Sequence, residues 1–482
     1  MNWHNLSRYP REKGSRPVRR DVAATAIAVA IAWTLFAFGG RETWSLVPLF
    51  AALLFALAIA RPSLAHPPLL ILDVALAFAL LGGAAQLMPL PAGLRDVVSP
   101  HTAIVERALR VGAAWSPLDP VTGPLSINPN QTAIGLLTAV AAVLLFWIAR
   151  GPMESGELRG TAARVAWIGF AVSLAAMLQR ATSPKLMYWI WSVPGDKPFG
   201  PFINRNHMAT WLIMAIPLTV GCLMMRVRSR VGEHGGRVAF VRVVGDSTVL
   251  WLSGAAGLML AALLVSLSRS GVMGLAAGAV VGGAIGLPRL RAAERHWLWL
   301  LPVGAVVVAT FYASPGALLD RFARSRTLGA GGRVEIWRQT LPIMSDFPAT
   351  GSGIGTYEQA MLVYQEGNRQ FFFNQAHNQY LQLAAEGGLL VCVPIFVATV
   401  VFVGLVSSRI RHDRSGTFWI RVGAVAALTG VATQSLWETG LRMPANALLF
   451  GLVAAIAVHQ PRPGAGSGAR SRNEALHARG ER

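Results

Sequence analysis

Two side chains at the ends of long apolar runs could meet a substrate at a membrane surface. Arg269 lies in Ser-Arg-Ser-Gly at 268–271, between two apolar segments joined almost without a loop. An arginine at the centre of a spanning helix costs roughly 2.5–3.5 kcal/mol to insert, so its retention needs a reason. Binding of an anionic group is the functional reason, and reaching for lipid headgroups is the structural alternative. His377 stands where a polar segment enters another apolar run, as a binding residue or as a hydrogen-bonding spacer.

A second polar cluster precedes the apolar run that begins near residue 207. Asn204, Arg205, Asn206 and His207 follow one another directly. An asparagine at the N-cap accepts hydrogen bonds from the first free amide groups of a helix, and Asn206 is preferred over Asn204 for this role. Capping leaves these residues available for a second role in binding.

Carboxylates also occur within apolar runs. Glu386 follows Gln382 by four positions, so the two side chains share one face of a helix and can bond one another. A carboxylate inside a membrane segment indicates a functional site and requires a partner, either Gln382 or an outer arginine. A lock between helices is the structural alternative for Glu386. We interpret Asp73, inside the run 69–88, as structural.

The elements that position these residues are apolar runs long enough to cross a bilayer, which takes about 20 residues. They predict an all-α fold, a polytopic membrane protein with about 12 transmembrane helices. The predicted spans are 22–38, 44–60, 69–88, 132–149, 162–179, 207–225, 249–267, 271–287, 297–313, 379–406, 419–436 and 443–459.

Composition supports a membrane protein. Hydrophobic residues make up 53% of the chain and charged residues 14%, well below the roughly 25% typical of soluble domains. The net charge of +20 arises from arginines clustered between apolar runs. Membrane topology explains this pattern, so membrane lipids are the expected surroundings and no nucleic acid is expected as a partner.

The distribution of arginine and lysine predicts the orientation. With both termini in the cytoplasm, the inner segments and inner helix ends hold 27 of the 43 basic residues, although the outer segments are longer. This asymmetry predicts a multi-pass inner-membrane protein. The chain divides into a basic cytoplasmic N-terminus at 1–21, a transmembrane domain at 22–459 and a disordered basic tail at 460–482.

One long outer segment, 314–378, is predicted to contain a small helical element. Arg333 opens its first helix, which ends near Asp346, either as a surface residue or as part of a site. A glycine-rich turn at 351–355 and a second short helix at about 356–366 follow. The apolar face of the first helix consists of Val334, Trp337, Leu341 and Met344.

The order of these motifs resembles that of the O-antigen ligase and O-antigen polymerase superfamily. Gly-x-Phe-x-Asn-Arg-Asn-His from residue 200 resembles members linked to exopolysaccharide synthesis. The motif resemblance covers roughly residues 160–400. The other similar segments are Ser-Arg-Ser-Gly from 268, Gly-Arg-x3-Trp from 332, His-Asn-x-Tyr-Leu-Gln from 377 and Glu-x-Gly-Leu from 386.

The resemblance implies an inverting, metal-independent glycosyltransferase without a cofactor. It would move a glycan from undecaprenyl diphosphate to a lipid or glycan acceptor at the periplasmic face of a bacterial inner membrane, in O-antigen or exopolysaccharide biosynthesis. His377 would match the histidine that activates the acceptor hydroxyl. Arg269 and Arg205 would match the diphosphate-binding arginines. The expected glycan and loop site comprises Arg333, Asn204, Asn206, Asn378, Gln382 and Glu386.

These residue types suit that chemistry. Arginine binds diphosphate by bidentate contacts, and histidine takes up a proton near neutral pH. The outer loops carry no cluster of carboxylates for a divalent ion, so no metal is expected.

Two alternatives stay open at this point. A transporter of an anionic solute should show spans broken at mid-membrane and often paired repeats. The sequence indicates neither feature. A non-catalytic scaffold in an envelope complex would not need Arg269 and His377 together.

Overall fold

The structure is a computed structural model that describes most of the chain. The predicted span 297–313, the first residues of the N-terminal segment and the tail from 461 lie outside the described part. The described residues are 16–60, 62, 69–109, 122–193, 198–231, 242–290, 325–367 and 372–460.

Helices account for almost all regular structure in the described residues. Short antiparallel pairs join β1 (Leu90–Pro91) to β2 (Thr122–Gly123) and β3 (Leu186–Met187) to β4 (Trp191–Ser192). The helices in chain order are α1 Arg16–Phe36, α2 Leu46–Ala60, α3 Leu70–Ala85, α4 Ala92–Val98, α5 Pro100–Leu109, α6 Pro129–Pro152, α7 Leu158–Thr182, α8 Arg205–Val231, α9 Ser247–Val265, α10 Arg269–Gly286, α11 Ser325–Asp346, α12 Tyr357–Tyr364, α13 Gln379–His412, α14 Phe418–Gln434 and α15 Pro444–Ala457.

The long helices confirm the predicted class of all-α polytopic membrane protein. Seven helices of the described residues are long and apolar enough to cross a membrane, and three shorter helices are also apolar. Every predicted span except 297–313 coincides with a helix. The apolar runs predicted the positions of the helices because an apolar segment in lipid must pair its own backbone polar groups, and a helix does so.

Helix α8 lies at the centre of the bundle, and 89% of the residues in its most apolar stretch are buried. Glycines let neighbouring backbones approach closely, as is usual between membrane helices. A Cβ on Gly423 of α14 would lie 2.3 Å from the carbonyl oxygen of Pro217 in α8. A Cβ on Gly271, in the first turn of α10, would lie 2.7 Å from that of Ala209 in α8. This packing brings the first turns of α8 and α10 to the same end of the bundle.

Asp73 is a structural residue, as predicted. Its carboxylate accepts a hydrogen bond from Nε1 of Trp147 at 3.0 Å and forms an ion pair with Arg150 at 3.0 Å. Both charged side chains are buried. The pair links α3 to α6, and removing either partner would leave a buried charge uncompensated.

A small second core lies beside the start of α13. Its buried residues come from α5, α11, α12 and the beginning of α13, and they include Val105, Ile343, Phe347 and Ala385. Helix α11 ends at Asp346, and α12 follows the glycine-rich turn. The prediction that this segment folds into two helices is therefore confirmed for the described residues. Its position outside the cytoplasm stays a prediction.

The face through which α11 packs differs from the predicted one. Val334 and Leu341 are more than half exposed, whereas Thr340 and Ile343 are fully buried. The hydroxyl of Thr340 lies 2.7 Å from that of Tyr357 in α12. A buried hydroxyl with a partner costs little to bury, so a polar residue can belong to the core face, and the apolar periodicity alone misplaces that face.

Helix α13 is broken near its start, so the expectation of unbroken spans is wrong for this helix. Gly388 has a left-handed φ of 55°. The amide of Leu389 donates to the carbonyl oxygen of Pro348 at 2.9 Å, and that of Ser352 donates to the carbonyl oxygen of Ala385 at 3.0 Å. The outer segment thus satisfies the backbone groups that the break releases. Because these groups bind protein, the break does not form a solute site of the transporter type.

We expect the segment with α11 and α12 to lie outside the cytoplasm. Alkaline phosphatase needs disulfides, which form outside the cytoplasm. A fusion after Gly367 should be active, and one after Ser415 should be inactive, because basic residues cluster beside Ser415. Equal amounts of both fusions on an immunoblot are the control. The opposite pattern of activity would invert the topology.

Candidate active site

His377 is held by the turn that leads into α13. Asn378 is the N-cap of this helix, and its side chain accepts hydrogen bonds from two free amides of the first turn. From the other side, Nε1 of Trp337 in α11 donates to the carbonyl oxygen of Ala376 at 3.0 Å. His377 itself has a left-handed φ of 47°, which is uncommon for a residue with a side chain. Its backbone is therefore fixed on both sides in a sharp turn.

The imidazole of His377 faces a carboxylate that the sequence analysis did not single out. Its Nδ1 lies 3.4 Å from Oε1 of Glu438, in the connection between α14 and α15. The side chain of Glu438 is 1% exposed, and that of His377 is 31% exposed. The two groups lie at ion-pair distance, but Nδ1 does not meet hydrogen-bond geometry toward the carboxylate. A carboxylate on this side of the ring favours the tautomer with the proton on Nδ1, in which Nε2 can accept another. Enzymes use pairs of this type in acid–base catalysis, in which a carboxylate orients the imidazole.

Glu438 is buried but remains ionised. Its Oε2 accepts a hydrogen bond from Nδ2 of Asn206 at 2.6 Å, and its Oε1 accepts one from the amide of Thr439 at 3.2 Å. Burial by itself raises the pKa of this carboxyl group. The close approach of His377 and the charges of His207 and His377 outweigh burial and lower the pKa of Glu438 to about 2. The site therefore holds a lasting negative charge beside His377.

The first turn of α8 supplies two polar side chains to this site. Asn204 caps the helix, because its Oδ1 accepts a hydrogen bond from the amide of Asn206 at 2.9 Å. The predicted preference for Asn206 as the cap is therefore wrong, and its side chain binds Glu438 instead. His207 is buried, with Nε2 4.0 Å from the same carboxylate. One asparagine positions the helix, and the other faces the site.

Arg205 and Arg269 are the first residues of α8 and α10. Ser268 caps α10 by accepting a hydrogen bond from the amide of Gly271 at 3.3 Å. Since Gly271 packs on Ala209, the two arginines begin neighbouring helices at the same end of the bundle. Both arginines are partly buried. The partial positive charge of two helix N-termini adds to their own, so this end favours an anion.

Glu386 and Gln382 anchor the outer segment. As predicted, they bond one another, with Nε2 of Gln382 donating to Oε1 of Glu386 at 3.0 Å. The carboxylate of Glu386 also accepts hydrogen bonds from the amides of Gly355 at 2.9 Å and Tyr357 at 3.0 Å. Oε1 of Gln382 accepts one from the amide of Ala376 at 3.1 Å. These contacts fasten α12 and the turn before His377 to α13.

Arg333 lies inside α11 rather than at its start, because the helix begins at Ser325 and continues through the glycine pair. Its side chain is partly buried. Trp337, one turn later on this helix, contacts the segment before His377. In the described part of the chain, no hydrogen bond or ion pair joins Arg333 to the other candidates. Helix α11 connects it to the site through Trp337 and through the contact of Thr340 with Tyr357.

The part of the chain that contains Arg269 and His377 also matches a known family. Residues 254–396 match the family model described as O-antigen ligase. This segment is similar to O-antigen ligase domains. The resemblance seen in the sequence is thereby confirmed, and it indicates an enzyme of glycosyltransferase type that acts on lipid-linked glycans. No curated protein matches the chain. Arg205 and Glu438 lie outside the matched residues, although the fold brings Glu438 to His377 within them.

Glu438 is the residue of the site that sequence reasoning missed. Its signal is a lone carboxylate in the short connection between the last two apolar runs. From the sequence alone, such a residue cannot be distinguished from a solvent-exposed loop residue. Asn206, its hydrogen-bond partner, lies 232 positions earlier in the chain.

Proposed function

We propose that this protein moves a glycan from undecaprenyl diphosphate to a hydroxyl of a lipid or glycan acceptor. The reaction takes place at the periplasmic face of a bacterial inner membrane, in O-antigen or exopolysaccharide biosynthesis, and both termini lie in the cytoplasm. The observation that carries this proposal is the pairing of His377 with buried Glu438. The match of residues 254–396 to O-antigen ligases supports the substrate class.

His377 acts as the general base in this proposal. Its Nε2 takes the proton of the acceptor hydroxyl while the hydroxyl oxygen attacks the anomeric carbon of the donor glycan. The bond between that carbon and the diphosphate oxygen breaks, and its electron pair leaves with the lipid diphosphate. Attack opposite the leaving group inverts the anomeric configuration. Glu438 offsets the positive charge that forms on His377.

Arg269 and Arg205 bind the diphosphate in this proposal. The leaving group is already activated, so the site mainly has to stabilise the charge that grows on the departing oxygen. Guanidinium groups form bidentate charge-assisted hydrogen bonds with phosphate oxygens. The helix N-termini at which both arginines stand favour the same anion.

Transfer is proposed to need no metal, because the arginines supply the charge stabilisation. Among the described residues, no group of three His, Cys, Asp or Glu side chains could hold a metal ion. Purified protein in detergent, given a lipid-linked glycan and an acceptor, should release one lipid diphosphate per glycan transferred. The rate should be the same with and without a chelator. Loss of transfer on chelation, restored by a divalent ion, would contradict the metal-free mechanism.

Arg269→Lys should fail nearly as badly as Arg269→Ala. Lysine keeps the charge but loses the planar fork that binds two oxygens at once. A charge-assisted hydrogen bond contributes about 1.5–3 kcal/mol, so transfer should fall about 10- to 100-fold. Arg338→Lys on the exposed surface of α11 is the matched control and should transfer normally. Full transfer by Arg269→Lys at wild-type expression would rule out bidentate binding.

A further inference from the structure

Two tight turns meet directly beside the site. One is the 3₁₀ turn Phe38–Gly40, between α1 and α2, and the other is the 3₁₀ turn Gly440–Arg442, before α15. A Cβ on Gly40 would lie 2.7 Å from that of Pro444, and Gly40 has a left-handed φ of 80°. Only glycine permits this contact without strain. Because the turns touch, Arg41 and Arg442 are brought to the same edge of the molecule.

The second turn is also fixed on the first turn of α8. Nδ2 of Asn446 donates to the carbonyl oxygen of His207 at 3.1 Å and to that of Gly440 at 2.9 Å. A Cβ on Gly440 would lie 2.2 Å from Oγ1 of Thr210. Arg442 is therefore held next to the helix that carries Asn206 and His207 toward Glu438.

The charges of the two arginines reach the site. Both Arg41 and Arg442 interact electrostatically with His207, and Arg442 also interacts with Tyr357 at the start of α12. Arg442 therefore lies near both α8 and α12. His377 also interacts electrostatically with His207.

Within the described residues, no carboxylate lies at ion-pair distance from Arg41 or Arg442. Glu438 is already engaged by Asn206, Thr439 and His377. Arg41 is exposed and Arg442 is partly buried. Arginines that converge without a carboxylate suit an oxyanion from outside the chain.

We propose that Arg41 and Arg442 form a subsite for an oxyanion of the substrate. The ligand class is a phosphate or a carboxylate, supplied either by the diphosphate of the lipid carrier or by an acidic sugar of the glycan. That this anion belongs to a substrate rests on the proposed function. The subsite itself is a binding property and can be measured without transfer.

The test is calorimetric binding of inorganic pyrophosphate and, separately, of glucuronate to the purified full chain. Wild-type protein should bind at least one of them. The double variant R41Q/R442Q should bind it at least about tenfold more weakly, because each arginine contributes charge-assisted hydrogen bonds. R338Q, which removes an outer arginine that pairs with Glu335, should bind as wild type does. Equal elution on gel filtration checks that all variants are folded.

Each binding result either supports or overturns the proposed subsite. Loss confined to pyrophosphate assigns the subsite to the carrier, and loss confined to glucuronate assigns it to the glycan. Unchanged binding in R41Q/R442Q, an equal loss in R338Q, or binding of neither anion by wild-type protein would overturn the subsite. If binding depends on the two arginines but purified protein transfers no glycan, the subsite stands and the proposed reaction fails.

Discussion

His377→Gln should reduce glycan transfer by about 10²–10⁴-fold, the range of a lost general base. Glutamine keeps a donor that can reach Glu438 but cannot take up a proton. His377→Ala should lose a comparable factor. The measurement is single-turnover transfer by purified protein from a lipid-linked glycan, with donor binding saturated so that the chemical step is observed.

The variant is expected to fold normally. Asn378 and Trp337 hold the turn through contacts that do not involve the imidazole. His101→Gln is the matched control, since Nε2 of this outer histidine lies 3.6 Å from a carboxylate oxygen of Asp346 outside the site. It should transfer at the wild-type rate. Near-normal turnover in His377→Gln would show that the histidine is only a hydrogen-bonding spacer.

Glu438→Gln should reduce kcat by roughly 10²-fold or more and change KM little, because it removes the charge that orients and balances the base. Both carboxylate oxygens accept hydrogen bonds, from Asn206 on one side and from Thr439 on the other. Glutamine offers one acceptor, so one donor must lose its partner. His377 would then lose both its orientation and its counter-charge. Steady-state kinetics with separate kcat and KM values checks this result.

Matched variants separate the charge of Glu438 from its packing. Glu358→Gln, an exposed carboxylate on α12, should leave kcat unchanged. Glu438→Asp keeps the charge and should recover part of the loss. If Glu438→Gln raises KM but leaves kcat intact, the carboxylate organises the binding site and does not act through His377.

The ionisation of Glu438 also predicts a pH dependence of stability. Its pKa lies at about 2 in the folded protein, below the ordinary value of 4.5. The contribution of the carboxylate is therefore complete above the ordinary value and is lost as the pH falls toward 2. On acidification below about pH 4.5, the melting temperature should fall more for wild-type protein than for Glu438→Gln. Parallel pH curves would show that no stabilised charge is lost.

Local features of the site could be predicted where neighbours in sequence are neighbours in space. Gln382 and Glu386 lie one helical turn apart, and they bond as expected. The polar cluster before α8 contains the expected cap, although Asn204 fills that role instead of Asn206. Asn204 and Asn206 are two positions apart. Which of them caps the helix depends on Glu438, because this carboxylate binds the side chain of Asn206.

Features that depend on packing were predicted less well. The apolar stripe of α11 places Val334 on the core face, but the helix buries Thr340, whose hydroxyl has a partner in Tyr357. The break at Gly388 has no signature in hydropathy, since the outer segment satisfies the released backbone groups. In both cases a distant polar partner decides the outcome, and residue periodicity carries no information about it.

The sequence by itself determined the membrane class, the positions of the spans and the residue types available for chemistry. Lipid imposes these features on the chain directly. A spanning helix must be apolar, and a charged residue within it is costly to insert unless it has a partner or a function. Only the tertiary structure decided which polar groups meet. Burying the charge of Glu438 requires several donors at once. Those donors stand at the start of α8, before α13 and in the connection between α14 and α15, and helix packing alone brings these three segments together.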